Sequence, residues 1–111
     1  MRKAEIKRKT KETSIELNIN LDGTGKSSIS TPFGMLTHMM EQISKHSLID
    51  INLKVSGDTE TGSHHVVEDT AIVLGEAFDK ALGDRSGIER MADSTVPLDE
   101  SLSMVAIDLA G

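Results

Sequence analysis

The 111 residues predict an α+β fold: a ββ(β)αβα repeat whose mixed sheet packs on two helices, followed by the first two strands of a second, incomplete repeat. Three observations carry that expectation. Apolar residues alternate with polar ones along residues 13–21 and 49–56, the period of half-buried strands. They recur at helical spacing along 34–45 and 64–82. Residues 11–23 line up with 99–111 at an offset of 88, so the opening strands recur at the end of the chain.

Residues 3–9 form the first strand. In the second, Ile15, Leu17, Ile19 and Leu21 alternate with Ser14, Glu16, Asn18 and Asn20. Asp22-Gly23-Thr24-Gly25 is a turn, and Lys26 to Ser30 adds a short third strand before Pro32. A helix follows from Gly34 to about Lys45, with Leu36, Met39, Met40 and Ile43 as its buried stripe. His38, Gln42 and His46 recur every four residues on a neighbouring face. Ile49, Ile51, Leu53 and Val55 mark the next strand. Ser63 is the expected N-cap of a second helix from His64 to Leu82, with Val67, Ala71, Leu74, Phe78 and Ala81 inward and Gly83 as terminator. Residues 91–99 and 101–109 read as extended. Leu102, Met104 and Leu109 are expected to form an exposed apolar face that drives self-association.

Composition narrows the function. There is no cysteine, so any metal is held by nitrogen and oxygen. Net charge is −6, which argues against a general nucleic-acid binder, and the basic run from Arg2 to Lys11 reads as an exposed strand face. No apolar run approaches the roughly 20 residues that span a bilayer, and the N-terminus lacks a secretory apolar segment. A cytoplasmic protein with no membrane partner is the expectation.

The chemistry concentrates in His64-His65-Val66-Val67-Glu68-Asp69. On a helix Glu68 neighbours both imidazoles, at i,i+4 and i,i+3. The two histidines point roughly 100° apart, so they suit two cations in different directions better than one. Core packing has no use for two imidazoles and a carboxylate in one turn, and the helix N-terminus favours the neutral imidazole that ligates. Asp69 is either a partner orienting an imidazole N–H or an ordinary acid of the first turn. On local grounds Glu12 is an exposed turn residue and Arg90 a solvated linker charge. Manganese, zinc, iron and nickel all remain compatible with this donor set.

These segments resemble the imidazoleglycerol-phosphate dehydratase family of histidine biosynthesis. The resemblance runs through Arg8 to Thr13, Asn20 to Gly25, Pro32 to Met40, Gly57-Asp58, Ser63 to Asp69 and Pro97 to Leu102. It implies a ribosomal-protein-S5-domain-2-like half of a two-repeat lyase, a hydro-lyase that converts imidazole glycerol phosphate to imidazole acetol phosphate. It further implies a 24-subunit homo-oligomer with two Mn²⁺ ions per complete site. Carried residue by residue, it makes His38, His64, His65 and Glu68 metal ligands, and Glu12 the catalytic acid/base. Glu12, His38, Gln42, His46 and Arg90 become substrate contacts, Arg90 reaching toward the phosphate.

Family chains are longer, and their second half supplies a further His-His-x-x-Glu motif. The chain is therefore expected to be a fragment, with residues 1–86 as the first repeat and 87–111 as the first strands of the second. A metal-binding, self-associating half-domain without catalysis of its own is the other class of function. A metal-dependent hydrolase fits less well, because no water-activating base stands beside a closed set of three ligands.

Overall fold

The computed structural model describes residues 1–111. In chain order the elements are β1 (Lys3–Lys9), β2 (Thr13–Asn20), β3 (Ser27–Ser30), α1 (Gly34–Ser47), β4 (Asp50–Gly57), α2 (His64–Leu82), β5 (Met91–Leu98) and β6 (Ser101–Asp108). The first four strands form one sheet in the order β1-β2-β4-β3. β1 with β2 and β2 with β4 are antiparallel, while β3 runs parallel to β4 through the α1 crossover, so the sheet is mixed. No helix is long and apolar enough to cross a membrane.

Strand alternation sorts the sheet into two unlike faces. Ile15, Leu17, Ile51 and Leu53, each 1% exposed, meet the helices. The other face is polar. There Lys7, Glu16 and Lys54 stand opposite one another across three strands, and each such opposite-charge pair contributes about 0.2–1 kcal/mol. Lysines 3, 7 and 9 on edge strand β1 discourage pairing with another chain.

Both helices lie on the apolar face, but their inward stripes differ from the expected ones. α2 buries Val66, Thr70, Val73, Ala77 and Ala81, with Leu74 and Phe78 half-buried, whereas Val67 and Ala71 are exposed. α1 buries Met40 and Ser44 and leaves Met39 and Ile43 exposed. The reason is that each helix carries apolar residues on neighbouring faces, so its periodicity alone does not fix which of them meets the sheet. Ser44 is tolerated there because its hydroxyl donates to Ile49 O (2.6 Å), with Lys26 O 3.2 Å away as a second acceptor. Ser63 does occupy the N-cap position of α2, but without a side-chain capping bond.

β5 and β6 form a separate two-stranded sheet, and every residue of both strands is exposed. Their register reproduces that of β1 and β2. Lys3↔Asn20 and Ala4↔Ile19 recur as Met91↔Asp108 and Ala92↔Ile107, a shift of 88 residues in both strands. The bond from Leu21 N–H to Arg2 O (2.9 Å) likewise recurs from Leu109 N–H to Arg90 O (2.9 Å). Leu102 and Met104 are exposed as expected. Leu109, at an odd position, belongs with Val105 and Ile107 on the other side of the hairpin and is half-buried, so apolar residues line both faces rather than one.

Candidate metal centre

One end of the four-stranded sheet gathers the chemistry. β1 and β4 run toward it and β2 runs away from it, so the β1–β2 turn, the end of β4 and the start of α2 meet there. β3 is parallel to β4, so the α1 crossover also begins at this end, with His38 near its start.

The β1–β2 turn carries Glu12 and is clamped on several sides. Thr10 Oγ1 accepts the N–H groups of Glu12 and Thr13 (both 3.1 Å), and Thr13 O accepts Thr10 N–H (2.8 Å). Just beyond β4, Asp58 N–H donates to Glu12 O (2.7 Å). Gly57 permits that approach: a Cβ there would lie 2.8 Å from Glu12 O and 3.0 Å from Thr13 Cγ2. From α2, Asp69 Oδ2 accepts the Thr13 hydroxyl (2.6 Å). Thr13 thus spends its proton on Asp69 and accepts one from the Thr10 hydroxyl, 3.3 Å away. Glu12 itself is exposed, a carboxylate held out on a fixed backbone.

The first turn of α2 presents the imidazoles. His64 and His65 have ring centroids 5.5 Å apart with an interplanar angle of 65°, splayed as adjacent helical residues must be. His64 Nε2 lies 3.1 Å from Glu68 Oε2, the expected i,i+4 pairing. His65 turns inward: its Nδ1 is buried without a hydrogen-bond partner and lies 3.6 Å from Asp58 Oδ2. Imidazole and carboxylate oxygen suit a borderline divalent cation, and a ligating histidine is commonly oriented by donating its other ring N–H to a carboxylate. The donors fit such an ion chemically.

The chain does not assemble them into a closed site. No group of three or more His, Asp or Glu side chains converges on one point, so His38 is not brought into a shared ligand set with His64, His65 and Glu68. Gln42 and His46 bond to each other on the exposed side of α1 (3.1 Å). Arg90 precedes β5 and pairs with Asp108 (Nη2 to Oδ2, 3.0 Å), which raises the pKa of its guanidinium above the ordinary value. Asp69 holds the Glu12 turn through Thr13, a role outside both sequence expectations. In the sequence Asp58 stands out only within the Gly57-Asp58 segment of the resemblance, because its closeness to Glu12 arises from the β2–β4 pairing and its closeness to His65 from the packing of the α2 start beside the end of β4. A concavity of about 710 Å³ lies at the opposite end of the sheet among Lys3, Asn20, Lys26, Asp50 and Lys80, and none of the histidines lines it.

Comparison with known proteins places this arrangement. The family model described as Imidazoleglycerol-phosphate dehydratase matches residues 31–111. The chain is 56% identical over 110 residues to the Imidazoleglycerol-phosphate dehydratase of Bifidobacterium animalis subsp. lactis (strain AD011), covering 99% of this chain and 55% of that protein. It is 55% identical over 111 residues to that of Hydrogenobaculum sp. (strain Y04AAS1), covering 100% of this chain and 58% of the relative. The crystal structure of Imidazoleglycerol-phosphate dehydratase from Staphylococcus aureus subsp. aureus N315 superposes with a TM-score of 0.82 at 29% identity, over 97% of this chain and 58% of that one. The chain thus spans little more than half the length of the relatives it matches. With the mixed sheet, its two helices and the paired histidines in place, the chain belongs to the imidazoleglycerol-phosphate dehydratase family.

Proposed function

We propose that this chain carries the first half of a manganese-dependent hydro-lyase that dehydrates imidazole glycerol phosphate to imidazole acetol phosphate in histidine biosynthesis. One observation carries the reading: the clamped Glu12 turn lies at the sheet end where α2 presents two splayed imidazoles. His64, His65 and Glu68, with His38 from α1, would hold the cations. When bound, two Mn²⁺ ions supply Lewis acidity and a template for the substrate ring. The proton lost from the substrate side chain has no neighbouring carbonyl to make it acidic, so a positioned base is required. Glu12 fills that role. Gln42, His46 and Arg90 complete the substrate contacts, Arg90 exchanging Asp108 for the phosphate.

We read residues 1–86 as the first repeat and 87–111 as the opening of the second. The 88-residue shift that preserves the hairpin register supports this. Because no three ligands meet within the chain, each cation would draw its remaining donors from a second-repeat motif or from another copy in a homo-oligomer, 24 subunits in the family. The same observation favours a second reading, a half-domain that binds metal on self-association and has no turnover of its own. The cytoplasm is the compartment this biosynthetic role implies.

Turnover and metal content measured on one preparation separate the two readings. Glu12→Gln is expected to lower kcat by about 10²–10⁴-fold with bound Mn²⁺ unchanged. Equal turnover in both proteins removes Glu12 from the chemistry, and Mn²⁺ uptake without turnover selects the half-domain.

A further inference from the structure

We infer that Asp58 is the positioning residue for His65, holding that ring with Nδ1 inward as an N–H donor and Nε2 as the free lone pair. Three observations converge on it. Of the ring's two nitrogens only Nδ1 is buried without a partner. The nearest carboxylate oxygen is Asp58 Oδ2 at 3.6 Å, and both side chains are about one-third exposed (33% and 30%). Asp58 is itself fixed: its Oδ1 accepts Glu60 N–H (2.8 Å) and its backbone N–H donates to Glu12 O (2.7 Å).

The separation exceeds hydrogen-bond length by less than about 1 Å, a gap that a small rotation of the ring closes. A buried N–H left without an acceptor costs roughly 1–3 kcal/mol, so the ring gains by making that rotation. A proton committed to Nδ1 leaves Nε2 unprotonated, the form that binds a cation. The same residue therefore serves both parts of the site, its side chain setting the imidazole and its backbone holding the Glu12 turn. The ligand role of Nε2 rests on the metal reading above, whereas the orientation of the ring does not.

The test uses long-range ¹H–¹⁵N NMR of His65 in the metal-free chain at about pH 8, above the ordinary histidine pKa of about 6.5. The Nδ1–H tautomer is expected to dominate. Asp58→Ala should return the ring to the mixture of an unrestrained imidazole. Asp58→Asn keeps an acceptor oxygen without the charge and should retain most of the shift. Because substitution spares the Asp58 backbone N–H, its exchange protection reports whether the loop still folds in each variant. Mn²⁺ affinity, read by electron paramagnetic resonance, should fall about 10–100-fold in Asp58→Ala. A tautomer indifferent to Asp58→Ala in a chain with protected loop amides overturns the inference, as does an Nε2–H ring in the parent. A tautomer that depends on Asp58 in a chain taking up no Mn²⁺ upholds the positioning of His65 and sinks the metal reading instead.

Discussion

The two hairpins share one pairing register and differ in nearly everything around it. In β1–β2, Leu17 and Ile19 are 1% and 3% exposed beneath α2, while in β5–β6 their counterparts Val105 and Ile107 are each 54% exposed. Register in a hairpin comes from the turn and the ladder, both local. Burial comes from the layer laid over the strand. The contrast shows that the strand pattern specifies a shape which only packing makes stable, and it tells where mutations will be felt.

The largest expected effect tests that contrast in the core. Leu17→Ala should lower unfolding free energy by about 2–5 kcal/mol in urea denaturation, because it removes buried methyl groups and leaves a cavity. The matching change on the second hairpin, Val105→Ala, should fall within about 0.5 kcal/mol. A larger loss at Val105 would mean that the apolar face of β5–β6 is covered in solution, by another copy of the chain. Sedimentation at two concentrations then shows whether that loss tracks association.

A smaller contrast compares the starts of β2 and β6. Thr13 is buried and its hydroxyl donates to Asp69, whereas its counterpart Ser101 is exposed. Thr13→Val keeps the shape and deletes the donor, leaving a partly buried carboxylate oxygen short of one bond. The expected cost is about 1–3 kcal/mol, with faster amide exchange across residues 10–13 as the Glu12 turn loosens. Ser101→Ala should be near neutral. If the two substitutions cost the same, Asp69 does not hold the turn.

These pairs also show what a sequence can and cannot reveal here. The extent of α2, His64–Leu82, was legible because helical periodicity and Gly83 bound it on both sides. The 88-residue repeat was legible in residues 11–23 and 99–111, since like strands in like registers use like residues. Which apolar face of each helix turns inward was not. Val66 and Val67 are chemically alike, and only the sheet chooses between them. Ser44 reads as a surface residue until Ile49 O and Lys26 O are brought to it. At the candidate site the paired histidines stood out through their spacing, while Asp58 and the Thr13–Asp69 bond did not. They depend on contacts between residues more than fifty positions apart on the helix side, and between strands on the other.

The smallest effect lies in the arginines that open each hairpin. Arg2 and Arg90 occupy matching positions, but Arg2 pairs with Asp22 beyond β2, and Arg90 with Asp108 within β6. Arg2 donates to Asp22 from its side chain and its backbone N–H (2.8 Å each), and these bonds lower the Asp22 carboxyl to about 2. Since the folded-state value lies below the unfolded one, the pair stabilises fully above the ordinary carboxylate pKa of about 3.9. The contribution disappears as pH falls from there toward about 2. Both groups are exposed, so added salt should weaken the effect. An NMR titration of Asp22 in the parent chain and in Arg2→Ala should move the variant's midpoint up toward the ordinary carboxylate range, short of it by the part that the retained backbone N–H bond supplies. An unmoved midpoint would assign the depression to something other than the arginine and leave the first strand without its tether.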